Sequence, residues 1–286
     1  MKPQYQHEVL TSFMLWFDNH LLNKGEAYSN KTGTLYYFDD SRLPDNYKVY
    51  ASPYKQWVND SSVTGSTNPI IPTGFMGSGR NDGVIFDFEN GRIIETGGNF
   101  GTSSTITGTF AVKDFNVYVS DETEEDLILE SKFILNSRYN DSETGIKPYD
   151  KVIPAVFVNS ENVQNVPYAF GGEDETRTSI KAVVLAENNY QLDGVLSIFA
   201  DLTKSNITPI PFSGHPSTEY GDLKTDFTGA GFYYTGVIDA YKNNIPYYIE
   251  DVTVSKLSER EKPQQLGDVK VGFIDFDLRQ ARFPRL

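Results

Sequence analysis

Apolar residues recur at three- and four-residue spacing at the start of the chain. Val9, Leu10, Phe13, Trp16, Phe17, Leu21 and Leu22 share one broad side of a helix predicted over residues 4–24, and Gly25 follows in the place of a left-handed C-terminal cap. This aromatic side has two places to dock, the body of the same chain or a neighbouring subunit. The period then changes. Leu35–Phe38 and Tyr47–Tyr50 predict strands around a turn-rich DDSRLPDN, and residues 59–82 show neither period and read as a long loop. Val84–Glu89 and Arg92–Glu95 flank Asn90-Gly91, the pattern of a two-residue type I′ hairpin with positive φ at both central positions. Ser104–Val112 and Phe115–Val119 read as a further strand pair. Residues 121–136 return to a helical period, with Asp121 and Glu124 as a capping pair and Leu127, Ile128, Ser131, Ile134 and Leu135 inward.

The polar stretch 137–150 is the predicted boundary between two halves, residues 1–140 (helix plus β-rich) and 141–286 (sheet plus helix), unless the chain is one continuous domain. The second half opens with a strand at Val152–Val158 and a loop to Glu175. A buried strand follows at Ile180–Leu185, and then a helix capped by Asn188 or Asn189. Leu192, Val195, Leu196, Phe199 and Leu202 form its stripe, weakened by Gly194. A loop over 203–228 carries Pro209, Pro211 and Pro216. Strands are predicted at Gly231–Ala240, Tyr247–Ser258 and Asp268–Leu278, with a polar connection at 259–267 and a basic tail carrying Arg279, Arg282 and Arg285. The sum is an α+β chain, β-rich and antiparallel, with an N-terminal helix and two further amphipathic helices.

Composition narrows the function. The 286 residues suit one large domain or two modest ones, and 38% hydrophobic with 14% aromatic residues is not a disordered composition. Cysteine is absent, which excludes disulfides, a cysteine nucleophile and thiolate metal sites. Three histidines are too few for a histidine-rich metal centre. A net charge of −14 repels phosphate, which argues against a reader of duplex DNA or of anionic membranes. The apolar run Phe13–Phe17 is too short for a signal segment, so synthesis and retention in the cytoplasm are expected. The sequons at Asn59 and Asn140 carry no weight outside a secreted eukaryotic context.

No constellation is specific. Gly77–Gly83 resembles a phosphate loop but lacks G-x-G-x-x-G and G-K-[ST], and it precedes a strand. His7 and His20 are too far apart on one helix to chelate together. His215, near Ser213 and Ser217, is the only histidine placed for a triad, and no nucleophile elbow accompanies it. Asp275 and Asp277 share a strand face beside Glu250 and Asp251, a solvated face before it is an acid pair or calcium site. The pairs Tyr36-Tyr37, Tyr233-Tyr234 and Tyr247-Tyr248 suit sheet packing, subunit contact or sugar stacking. No catalytic, cofactor-binding or metal residue is assigned.

Four features carry a resemblance to virion structural proteins of tailed bacteriophages. They are VIFDFENGRIIETG followed by FAVKDFNVYVSDETEEDLILESKF; the strand-to-helix segment IKAVVLAENNYQLDGVLSIFADL; the closing VKVGFIDFDL; and the Asn-, Asp- and Tyr-rich, cysteine-free composition. The resemblance implies a non-enzymatic ring subunit at the head–tail junction (neck, tail terminator or connector-like) or in the tail. Such a subunit is assembled in the host cytoplasm and needs no cofactor. Its partners would be copies of itself and neighbouring connector, tail-tube or sheath proteins. DNA would pass without specific binding, and no membrane is involved. The alternative is a carbohydrate-binding tail or baseplate protein, with Trp57 as the stacking residue to test.

Overall fold

The computed structural model describes residues 5–60, 63, 84–96, 101–102, 106–120, 124–129, 134–135, 151–169, 172–202, 204–216, 234–258, 260 and 262–283. Helix α1 (Tyr5–Lys24) lays its aromatic side on a six-stranded sheet of order β11-β12-β13-β10-β9-β6. These strands are β6 (Asn116–Val119), β9 (Ala155–Ala169), β10 (Glu173–Ala186), β11 (Asn206–Ile207), β12 (Tyr247–Lys256) and β13 (Lys270–Arg282). Helix α3 (Asn189–Ala200) covers the same face, with Asn188 capping it by accepting from the Gln191 amide, so the predicted cap and the buried stripe Leu192, Val195, Leu196 and Phe199 are both present. The apolar core includes Val184, Ile274, Phe276 and Leu278 from the sheet and Phe13, Phe17 and Leu21 from α1. In the single chain α1 therefore docks on its own body.

A second sheet, order β3-β4-β2-β1-β5, stands beside α1. It comprises β1 (Tyr28–Phe38), β2 (Lys48–Ala51), β3 (Val84–Asp87), β4 (Arg92–Glu95) and β5 (Ile106–Lys113). Its own core gathers Tyr50, Trp57, Phe110 and Ile93, and Leu22 of α1 meets Val58 and Ala111 of this part. Buried Gln56 joins the two sheets: its carboxamide donates to the Val117 carbonyl and accepts from the Val117 amide, as a strand residue would. On the other face of the large sheet, α2 (Glu124–Leu129) and a single turn at Gln264–Leu266 cover only one end, where Leu127, Ile128 and Leu266 pack on Phe157, Val183 and Val271.

Several expectations are corrected. Asp87 pairs with Arg92, so the hairpin loop spans 88–91. Gly91 alone has positive φ, at 58°, which makes this a longer loop than type I′. The positive φ after α1 belongs to Glu26, not Gly25. Gly25 is small because a Cβ there would meet Ile198 Cδ1 at 2.6 Å. β5 and β6 do not pair with each other. The chain leaves one sheet at Lys113 and enters the other at Asn116, where β6 runs parallel to β9. Of the helix predicted over 121–136, the described residues include α2, while Ile134–Leu135 (β7) instead pair with Val152–Ile153 (β8). The loop expected up to Glu175 is strand: β9 and β10 continue there as a polar hairpin that the ladder to β13 holds without apolar alternation. The strand expected at 231–240 is helix α4 (Tyr234–Tyr241), whose Tyr234, Val237, Ile238 and Tyr241 face the core at helical spacing. Asp60, far away in sequence, accepts the Tyr234 amide at 3.0 Å and so fixes its start. The loop beyond Val63, the boundary at 137–150, Gly77–Gly83, Asp121, Ser131, Asn140, Ser217, Tyr233 and Arg285 lie outside the described residues.

Gly91→Ala places a Cβ 2.1 Å from the Tyr54 carbonyl oxygen at a positive φ. Urea unfolding should show a loss of about 2–4 kcal/mol. Gly194→Ala sits mid-helix with nothing within 4 Å and should gain roughly 0.5–1 kcal/mol. An unchanged midpoint for Gly91→Ala would contradict the turn geometry.

Candidate functional site

A cleft of about 840 Å³ opens between α1, the β3–β4 hairpin, the loop after β1 and the short turn at Phe212–Gly214. Its wall begins with a charge cluster that the hairpin builds. Asp87 and Arg92 are cross-strand partners at the hairpin end, so the Arg92 Nε donates to Asp87 at 2.6 Å. The same guanidinium reaches Asp40 through Nη1 at 2.6 Å, and Arg42 closes a two-point contact on Asp40 through Nε and Nη2, both at 2.8 Å. Asn90 donates its side-chain amide to Asp87 and accepts from Lys55 Nζ at 2.9 Å. The Arg42 contact, with Arg92 behind it, holds the Asp40 carboxyl well below the usual carboxylate range against the opposing effect of burial.

Glu89, on the hairpin loop, has the opposite environment. Burial pushes its carboxyl up; Lys113 opposes this and the nearby Asp87 adds to it. It accepts from Gln56 Nε2 at 2.8 Å. Across the cleft, Lys113 at the end of β5 is bound to Asp18 of α1 at 2.8 Å, which ties the second sheet to the helix. The cleft therefore holds one carboxyl kept ionised and one biased to its neutral form, on a brace of buried ion pairs. That arrangement fixes the hairpin and the loop after β1 as a rigid wall facing α1.

The residues singled out from sequence are dispersed. His7 and Phe212, with tilted rings 5.8 Å apart, line the cleft, and so does the buried His215. His20 lies outside it, stacked on Trp16 at 5.2 Å, and burial lowers its pKa. Asp275 and Asp277 do share one sheet face beside Asp251, but on an open surface: Ser179 donates to Asp277, and Lys181 lies 3.7 Å from Asp275. Glu250 sits at a bulge, 3.9 Å from Arg279. Trp57 is 1% exposed, stacked on Phe110 at 4.9 Å with its indole N–H on Ser52, so it presents no sugar platform. Among the described residues no three His, Asp or Glu side chains come together as a metal set. The Asp40–Arg92–Asp87 brace escaped the sequence reading. Asp87 and Arg92 flank the Asn-Gly signal and were open to being paired, whereas Asp40 gives no local sign of its partner.

Two outcomes test the brace. Arg92→Leu leaves two buried carboxylates without their shared cation and should cost about 3–5 kcal/mol in chemical denaturation; a loss under about 1 kcal/mol would contradict it. Glu89 has a folded-state pKa above its unfolded value. The stability tied to its neutral form is thus complete below the unfolded pKa and is lost as pH rises through the folded one. Glu89→Gln should therefore raise the melting temperature at pH 8 and leave it unchanged at pH 4. Equal melting temperatures at pH 8 would contradict the assignment.

No helix among the described residues is long and apolar enough to cross a membrane. No protein-family model matches the chain, and a search of curated proteins gives no match to it either.

Proposed function

We propose that this chain is a non-enzymatic structural subunit of a tailed-phage virion, a ring component at the head–tail junction or in the tail, built from copies of itself in the host cytoplasm. The observation that carries this reading is the half of the large sheet that no described residue covers. Among the described residues, the face opposite α1 and α3 is, beyond the small apolar cap, an open platform spanning β12, β13, β10 and β9. It bears Glu161, Glu175, Asp251, Asp275 and Asp277, with Glu250 at its margin, against Arg177, Lys181 and Arg279. A surface with an excess of acids repels a phosphate backbone, as a channel wall that lets DNA pass must do. The paired charges of the cleft support the same reading, because they brace the subunit rather than await a substrate.

Light scattering on the purified protein, with negative-stain images of the same sample, tests the reading. Closed rings of about six or twelve copies are expected, and duplex DNA should not be retained at low salt. A protein that stays monomeric at every concentration and joins no particle would contradict it.

A further inference from the structure

Among the described residues the large sheet has two unpaired edges. β6 pairs with β9 only along Ala155–Val158, and β11 pairs with β12 only at Tyr247–Tyr248. The outer backbone edges of β9 from Glu161 to Pro167 and of β12 from Glu250 to Lys256 thus face no strand among the described residues. We propose that these edges are partners: β12 of one copy pairs antiparallel with β9 of the next, continuing the sheet from copy to copy. The proposal rests on the assembly reading above and names its contact.

Polarity is the first argument. β9, β10, β13 and β12 alternate in direction, so the two edge strands run opposite to one another. A like-oriented copy placed beside β12 therefore presents β9 antiparallel to it, in a head-to-tail contact that can close into a ring. Side-chain faces fix the register. Val252 and Val254 lie on the helix-covered face of β12, and Val163 lies on that face of β9, opposite Thr178. Setting Val254 against Val163 brings Thr253 to Gln164 and Ser255 to Asn162 on the open face, and the whole of 250–256 meets 161–167.

Charge favours this pairing over a two-fold one. β9 from Asn162 to Pro167 carries no charge, whereas the β12 edge carries Glu250 and Asp251 beside Asp275 and Asp277 of β13. Joining two β12 edges would set these acids from both copies side by side. The offset also suits closure. In this register Gln164 of the next copy stands level with Asn159 of the first, since Thr253, Asp275, Lys181 and Asn159 form one row. That displacement is about 15 Å along the strands, over a width of about 19 Å for the strands β9, β10, β13 and β12. The resulting tilt, about 40°, lies within the 35–45° of closed sheets. α1, α3 and α4 occupy one face and α2 covers only one end of the other, so curvature turns the open acidic face inward.

The absence of cysteine makes the contact directly readable. The variants Thr253→Cys and Gln164→Cys change exposed positions, which within one copy lie about 14 Å apart across the sheet and about 15 Å apart along the strands, beyond disulfide reach. The full-length variants are cross-linked under oxidation and with a short bis-maleimide, at concentrations where light scattering shows assemblies. The expected result is dimers from the mixed single variants, none from either alone, and a ladder up to the ring size from Thr253→Cys/Gln164→Cys. Dimers from one single variant alone would mean a two-fold edge contact and overturn the proposal. Assemblies without cross-links would overturn it and leave the assembly reading standing. Absence of any assembly would overturn both.

Discussion

The contact on which the rest of the molecule depends is the aromatic seat of α1. Phe17 lies flat on Phe199 of α3 at 4.4 Å, and Phe13 meets the ring of Phe276 on β13 edge-on at 4.9 Å. Phe199 and Phe276 also touch each other, at 5.6 Å, so helix, helix and strand share one knot of rings. All four are essentially excluded from solvent. Rings of this size contribute both buried area and preferred edge geometry. Once α1 is seated, its far side is fixed in space, and the second sheet can close against it through Leu22 and the Asp18–Lys113 pair. The cleft is the space left between these elements.

That dependence explains which parts of the fold were legible. α1, α3 and the apolar stretch of β12 bury one side each, which leaves a period in the sequence, whereas residues 182–186 of β10 are buried on both faces and read as a continuous apolar run. The distal β9–β10 hairpin buries little, so the stretch from Asn159 to Glu175 reads as loop although most of its described backbone is laddered. Gly231–Ala240 reads as strand because it is rich in strand-favouring residues. The helical state of α4 is set by tertiary contacts: Asp60 at its start, and Gly214, whose missing side chain leaves room for Tyr241. The partition between the sheets at Lys113–Asn116 was hidden for the same reason, since a two-residue break looks alike whether a strand turns back or crosses to another sheet.

The candidate surfaces were partly legible. The shared face of Asp275 and Asp277 follows from strand parity alone, and the open platform extends that row. The Asp40–Arg92–Asp87 brace joins residues distant in sequence and leaves no periodic trace. Together these features describe a chain stiff on the helix side, where aromatics and ion pairs interlock, and open, among the described residues, on the other. Such a division of labour suits a building block: the packed side holds the shape, while the polar side and the strand ends meet what lies outside.

Native-state hydrogen exchange tests most directly whether the α1 seat organises the fold. Amides of α1 around Phe13–Leu21 should exchange with the same free energy as those of β10 and β13 around Ile180–Leu185 and Val271–Phe276, at the level of global unfolding, because the rings of these elements form one core. If α1 exchanged through a separate opening several kcal/mol below the sheet, the helix would be an appendage rather than the seat of the fold, and the account would be contradicted.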